Sequence, residues 1–176
     1  MTSFLQRLVL VAALSVGITS HAHDTPAPPA AAGHVAVGGA VQQTLLLSVD
    51  DLRQFPPDQV VELRLPARDA AGSPSVLKGV RLRAVLERAR IPTPDHNTVK
   101  KLAIVVAATD GYKVVFSWSE LFNAELGDAV LVLFERDGKP LPAAEGPLAL
   151  ISGKDLRTGP RHVKWLQSID VRQIVD

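Results

Sequence analysis

The densest set of chemically useful side chains in this 176-residue sequence lies between Ser152 and Trp165, in the run SGKDLRTGPRHVKW. Asp155 offers a hydrogen-bond acceptor, Arg157 and Arg161 offer planar guanidinium groups, His162 and Lys164 add donors, and Trp165 supplies an aromatic face. A flat heteroaromatic ligand with a donor edge and an acceptor carbonyl needs that mixture: a face to lie against, acceptors for the edge and donors for the carbonyl. Ser152 and Gly153 would act through backbone groups, the glycine letting the chain approach a flat ligand closely. The competing reading is a solvated basic loop, since charged loops usually lie on the surface. Strand alternation would put Arg161, Val163 and Trp165 on one face and His162 and Lys164 on the other. The five then meet one ligand only if the loop bends first, so Arg157, Arg161 and His162 rank above Lys164. Trp165 is either a pocket wall or core packing. Tyr112, in an alternating run, is either a ligand wall or an aromatic packed on a neighbouring strand. No metal site is expected, because cysteine is absent and His23 and His34 have no converging companions.

The elements that must hold these residues can be read from apolar spacing. Leu45 to Val49 is a short apolar run, followed by Asp50 as a helix N-cap and a turn that Pro56 and Pro57 stop. Gln59 to Leu65 alternates as a half-buried strand does. Arg81 to Ala89 sets Leu82, Val85, Leu86 and Ala89 at helical spacing, with Arg83, Glu87 and Arg88 outward. Leu102 to Ala107 and Tyr112 to Trp118 flank an Asp110-Gly111 turn, which points to antiparallel strands. Ser117 or Ser119 caps a brief helix around Glu120 to Leu126, Ala129 to Glu135 is a buried strand, and Leu148 to Ile151 and Val163 to Val171 supply the last strands. Trp118, at the end of its strand, reads as structural. Strands with short helices between them, without strict β-α-β alternation, predict an α+β fold with a mixed or antiparallel sheet.

The first residues carry one basic group, Arg7, then an apolar stretch from Leu8 to Val16 and a small-x-small end at Ser20-His21-Ala22. This predicts a signal peptide over 1–22 and export to the periplasm. The Pro-, Ala- and Gly-rich stretch 23–40 is expected to be a flexible linker, leaving 41–176 as the single domain. Nineteen basic residues face eighteen acidic ones, and loss of Arg7 with the leader balances them. No global field favours nucleic acid.

Three stretches resemble the molybdopterin-binding domain of the sulfite oxidase family: KGVRLRAVLERARIP (Lys78 to Pro92), the run from Asp110 to Ile151, and GPRHVKWLQSIDV (Gly159 to Val171). The last is the most specific. The resemblance implies a sulfite oxidase-like molybdopterin-binding fold, with Tyr112 where the family has its active-site tyrosine. It also implies that Arg161, His162 and Lys164 sit where the family holds the cofactor's phosphate and pyran end. The ligand it suggests for the basic loop is a pterin, with Asp155 accepting from the amidine edge and Arg157 stacking or donating to the carbonyl. In the family, the strand equivalent to Val60 to Leu65 ends in a cysteine whose thiolate binds molybdenum; this chain has Leu65-Pro66-Ala67-Arg68 there. The resemblance without that soft ligand implies a pterin-binding protein, not an enzyme, with no molybdenum and no catalytic residue. Small exported members of this kind suggest a further partner, the periplasmic domain of a membrane receptor that controls a cyclic dinucleotide. The alternative is a molybdopterin-dependent oxidoreductase subunit whose metal ligand comes from elsewhere.

Overall fold

Alternating apolar residues build the first of two sheets. The computed structural model describes residues 33–67, 73–93 and 95–174; the expected leader and residues 23–32 of the expected linker lie outside them. In the first sheet β1 (His34–Gly39) runs antiparallel to β2 (Leu45–Ser48) and parallel to β10 (Leu166–Gln173). β10 pairs antiparallel with β5 (Leu102–Ala108), and β5 pairs with β6 (Lys113–Ser117) across the expected Asp110-Gly111 turn. Val35, Val37, Ile104, Val106, Phe116 and Ile169 are buried on its inner side.

β1 falls within the stretch expected to be a linker, and there the structure departs from the composition. Residues 34–39 alternate, but two of their three outward positions, Ala36 and Gly38, are small instead of polar, so the binary pattern is faint. Neighbours on both edges supply the backbone hydrogen bonds that make the segment a strand.

The second sheet runs β3 (Val60–Leu65), β4 (Ser75–Arg81), β7 (Val130–Arg136) and β8 (Lys139–Pro140), with β9 (Ala149–Ser152) also pairing β7. β7 is packed on both faces. Val130, Val132 and Phe134 enter the main core between the sheets, while Leu131 and Leu133 join a second core with Leu77, Leu141, Ala149 and Ile151. A strand buried on both sides reads as a continuous apolar run, which explains its lack of alternation. The α+β class and the mixed sheet expected from the sequence are what the chain adopts.

Four short helices fill the corners among the described residues: α1 (Val49–Arg53), α2 (Leu82–Arg88), α3 (His96–Lys100) and α4 (Trp118–Phe122). Leu82, Val85, Leu86 and Ala89 are all fully buried, and each large aliphatic among them contributes roughly 1.5–3 kcal/mol. α1 is capped by Ser48, not by Asp50. The Ser48 hydroxyl accepts from the Asp51 amide while the Asp51 carboxylate takes the Ser48 N–H, a reciprocal pair that leaves Asp50 in the first turn. Ser117 and Glu120 cap α4 in the same way. Among the described residues no helix is long and apolar enough to cross a membrane.

Candidate functional site

The loop after β9 is organised around Arg161. Its Nε donates to Asp155 Oδ2 at 2.7 Å, a second guanidinium nitrogen donates to Asp155 Oδ1, and Nη1 donates to Glu120 Oε1 at 3.1 Å. The guanidinium lies over the Phe116 ring, 4.5 Å from its centroid, and the Ser152 hydroxyl donates to Asp155 Oδ1 at 2.8 Å. A bidentate carboxylate pair of this kind is charge-assisted and geometrically specific. The Arg161 hydrogen bonds hold Asp155 below the usual carboxylate range against the opposing effect of burial. For Glu120 burial pushes upward, but hydrogen bonds from the Ser117 amide and hydroxyl and from Arg161 outweigh it, so its carboxyl is lowered too. Arg161 is raised, chiefly by its bond to Asp155. The cluster ties the loop to α4.

This geometry changes what several of the expected ligand residues can offer. Both Asp155 oxygens are engaged within the protein, so it enters the site as the anchor of Arg161 and not as a free acceptor for a donor edge. Ser152 is fully buried. The open side of Gly153 faces the Leu63 side chain, only 2.5 Å from where a Cβ would sit, so this glycine admits β3 packing, not a flat ligand. The expected alternation from Arg161 to Trp165 also fails. Gly159–Arg161 is a 3-10 turn, Val163 is a lone bridge to Leu150, and Trp165 has φ 51°. β10 starts only after that break.

What the break creates is a presented aromatic. Trp165 is 46% exposed, and its N–H donates to the Glu145 carbonyl at 2.8 Å. Gly146, at φ 79°, packs beneath its ring; a Cβ there would lie 2.8 Å from the ring carbons. Thr109 N–H donates to the Trp165 carbonyl at 3.1 Å, and the Tyr112 hydroxyl donates to the Pro160 carbonyl at 2.6 Å. The β5–β6 turn and the loop are thereby stitched together, with the Tyr112 ring 44% exposed beside them. Arg157 and Lys164 are exposed. His162 turns inward: its side chain is 8% exposed and Nε2 stands 3.6 Å from Glu145 Oε2, while Glu145 Oε1 accepts from Arg136 at 2.8 Å. The structure therefore separates the expected set into exposed residues, Tyr112, Arg157, Lys164 and Trp165, and two internal groups, Ser152-Asp155-Arg161 and His162 with Glu145. Glu120, Glu145 and Arg136 escape the sequence reading. Only Glu120 had a signal, its place three residues after Ser117.

The family model for the oxidoreductase molybdopterin-binding domain matches residues 23–174. The chain belongs to that family. No curated protein matches it. Among solved structures it is similar to the sulfane dehydrogenase SoxCD of Paracoccus pantotrophus, with a TM-score of 0.56 and 18% identity. The likeness covers 78% of this chain and 37% of that one, and at such identity it speaks for the fold. The sulfite oxidase-like molybdopterin-binding fold implied by the three motifs is the one observed.

Family membership overturns two expectations drawn from the missing thiolate. A binder outside enzymology and free of molybdenum does not agree with a match, over nearly the whole sequence, to a domain defined by oxidoreductases that bind molybdopterin. One absent cysteine does not outweigh a match that spans the rest of the domain. What it does decide is local. Arg157, Lys164 and the Trp165 ring are exposed on one loop, and side chains of these types suit the flat, anionic organic part of such a cofactor. The metal is another matter: the chain has no cysteine, Pro66 after β3 is exposed, and no cluster of three or more His, Asp or Glu converges among the described residues. These residues do not fit direct protein ligation of molybdenum.

Proposed function

We propose that this domain is the molybdopterin-holding part of an oxidoreductase, with the metal's protein ligand contributed from outside this chain. The observation that carries it is the presentation of Trp165 in left-handed backbone over Gly146, on the same loop as exposed Arg157 and Lys164. An aromatic face and two cations on one loop suit a planar heterocycle bearing a phosphate. Neither cation is within ion-pair distance of a carboxylate among the described residues. In this reading Trp165 and Tyr112 wall the organic part, Arg157 and Lys164 meet its carbonyl and phosphate, and Arg161 and His162 act from behind. The leader-like start supports a periplasmic site of action.

Expression in a host that makes the cofactor, followed by release and quantification of pterin and by elemental analysis, tests the proposal. Pterin and molybdenum in equal amounts are expected. Neither one present would overturn it, and pterin without metal would remove the oxidoreductase part.

A further inference from the structure

β6 is an edge strand of the first sheet. The Ala108 amide bonds the Tyr112 carbonyl, and from there the antiparallel ladder alternates. With Val106 opposite Val114 and Ile104 opposite Phe116, those two residues of β6 face β5 with their N–H and C=O groups. Lys113, Val115 and Ser117 direct theirs to the open side. The Ser117 N–H is taken by Glu120; the Lys113 and Val115 groups have no partner among the described residues. Val115 is 55% exposed.

At the Ser117 end of this strand a cleft opens, lined by Lys100, Lys101, Ala103, Val115, Ser117 and Ile174. Ile174, 60% exposed, and Val115 give it apolar surface. Its surroundings are cationic. Lys100 and Lys101 stand at one end, Lys113 stands toward the other, and exposed Arg172 lies beside Ala103 in the neighbouring register. None of these four is within ion-pair distance of a described carboxylate. Asp95, held below the usual carboxylate range by hydrogen bonds from Thr98 and Asn97 and lastly by the charge of Lys101, is engaged in capping α3.

We propose that the free edge of β6 takes up an extended acidic segment of a partner protein as an added strand. Main-chain bonds to Lys113 and Val115 would give the affinity, and acidic side chains toward Lys100, Lys101 and Lys113 would give the selectivity. A second copy of this chain is disfavoured as occupant because it would bring its own cations against these. Edge lysines commonly guard against such self-pairing.

The test is titration of the full chain with an eight-residue peptide of alternating Glu and Val, followed by amide exchange. The expected result is binding that weakens with salt, slows exchange at the Lys113 and Val115 amides, and falls about tenfold in K100E/K101E. K113E is an independent second variant, its side chain being exposed. Equal binding of an alternating Lys-Val peptide, or of a Glu-Val peptide interrupted by proline, would overturn the proposal. So would no binding at all, or self-association that protects the same amides.

Discussion

Trp165 combines two features that seldom coincide, a left-handed backbone at a bulky residue and a ring nearly half exposed. A bulky side chain at positive φ costs energy, so neighbours must hold it there. Here Gly146 leaves room beneath the ring and the Glu145 carbonyl fixes the amide. Trp165→Phe should therefore cost less than about 1 kcal/mol of stability, as for other surface changes, while weakening pterin binding; denaturant midpoints and ligand affinity on the same protein check both. A large loss of stability with intact affinity would return Trp165 to a packing role. Arg157 has no partner among the described residues, so Arg157→Ala should leave the melting temperature unchanged and weaken binding by about 1–3 kcal/mol, the usual range for losing a hydrogen bond to a charged group. Calorimetry would show it, and unchanged affinity would make Arg157 ordinary surface.

At the scale of elements, the loop before β10 is held to α4 by Arg161, Asp155 and Glu120. Arg161→Ala leaves two partly buried carboxylates without their cation and should destabilise by about 1–3 kcal/mol, toward the lower end because Glu120 is partly solvated. The pH dependence follows from the depressed carboxyls. A carboxyl whose folded pKa lies below its unfolded one stabilises the fold at pH above the unfolded value, near 4. That stabilisation is lost as pH falls through the lowered folded values. Thermal midpoints should thus be level with respect to this cluster from neutrality to about pH 5 and fall below pH 4. Asp155→Asn should flatten the acid limb; an unaltered limb would show that the pair contributes nothing to acid sensitivity. The Ser117–Glu120 box that orients Glu120 toward Arg161 was legible as an N-cap, but its second role required the loop to arrive.

For the whole molecule, β1 lies between β2 and β10, so a chain starting at residue 41 should lose cooperative unfolding, as denaturation followed by circular dichroism would reveal. A folded, cooperative truncated chain would show that β10 tolerates an open edge. The sequence by itself determined the α+β class, the α2 face, the β5–β6 hairpin and the family, because each rests on local periodicity, turn chemistry or contiguous motifs. It also marked the basic loop as the place where chemistry-bearing side chains gather. Only tertiary structure decided which of them face outward. Arg161 and His162 find partners on other elements, Asp155 is taken up by Ser152 and Arg161 once the loop folds back on itself, and a side chain satisfied from within is no longer offered to a ligand. Likewise residues 34–39 have too little pattern of their own to announce a strand, and become one because two neighbours complete their hydrogen bonds. Alternation could not foresee Trp165 either: its orientation comes from a backbone reversal that Gly146, far back in the sequence, makes room for.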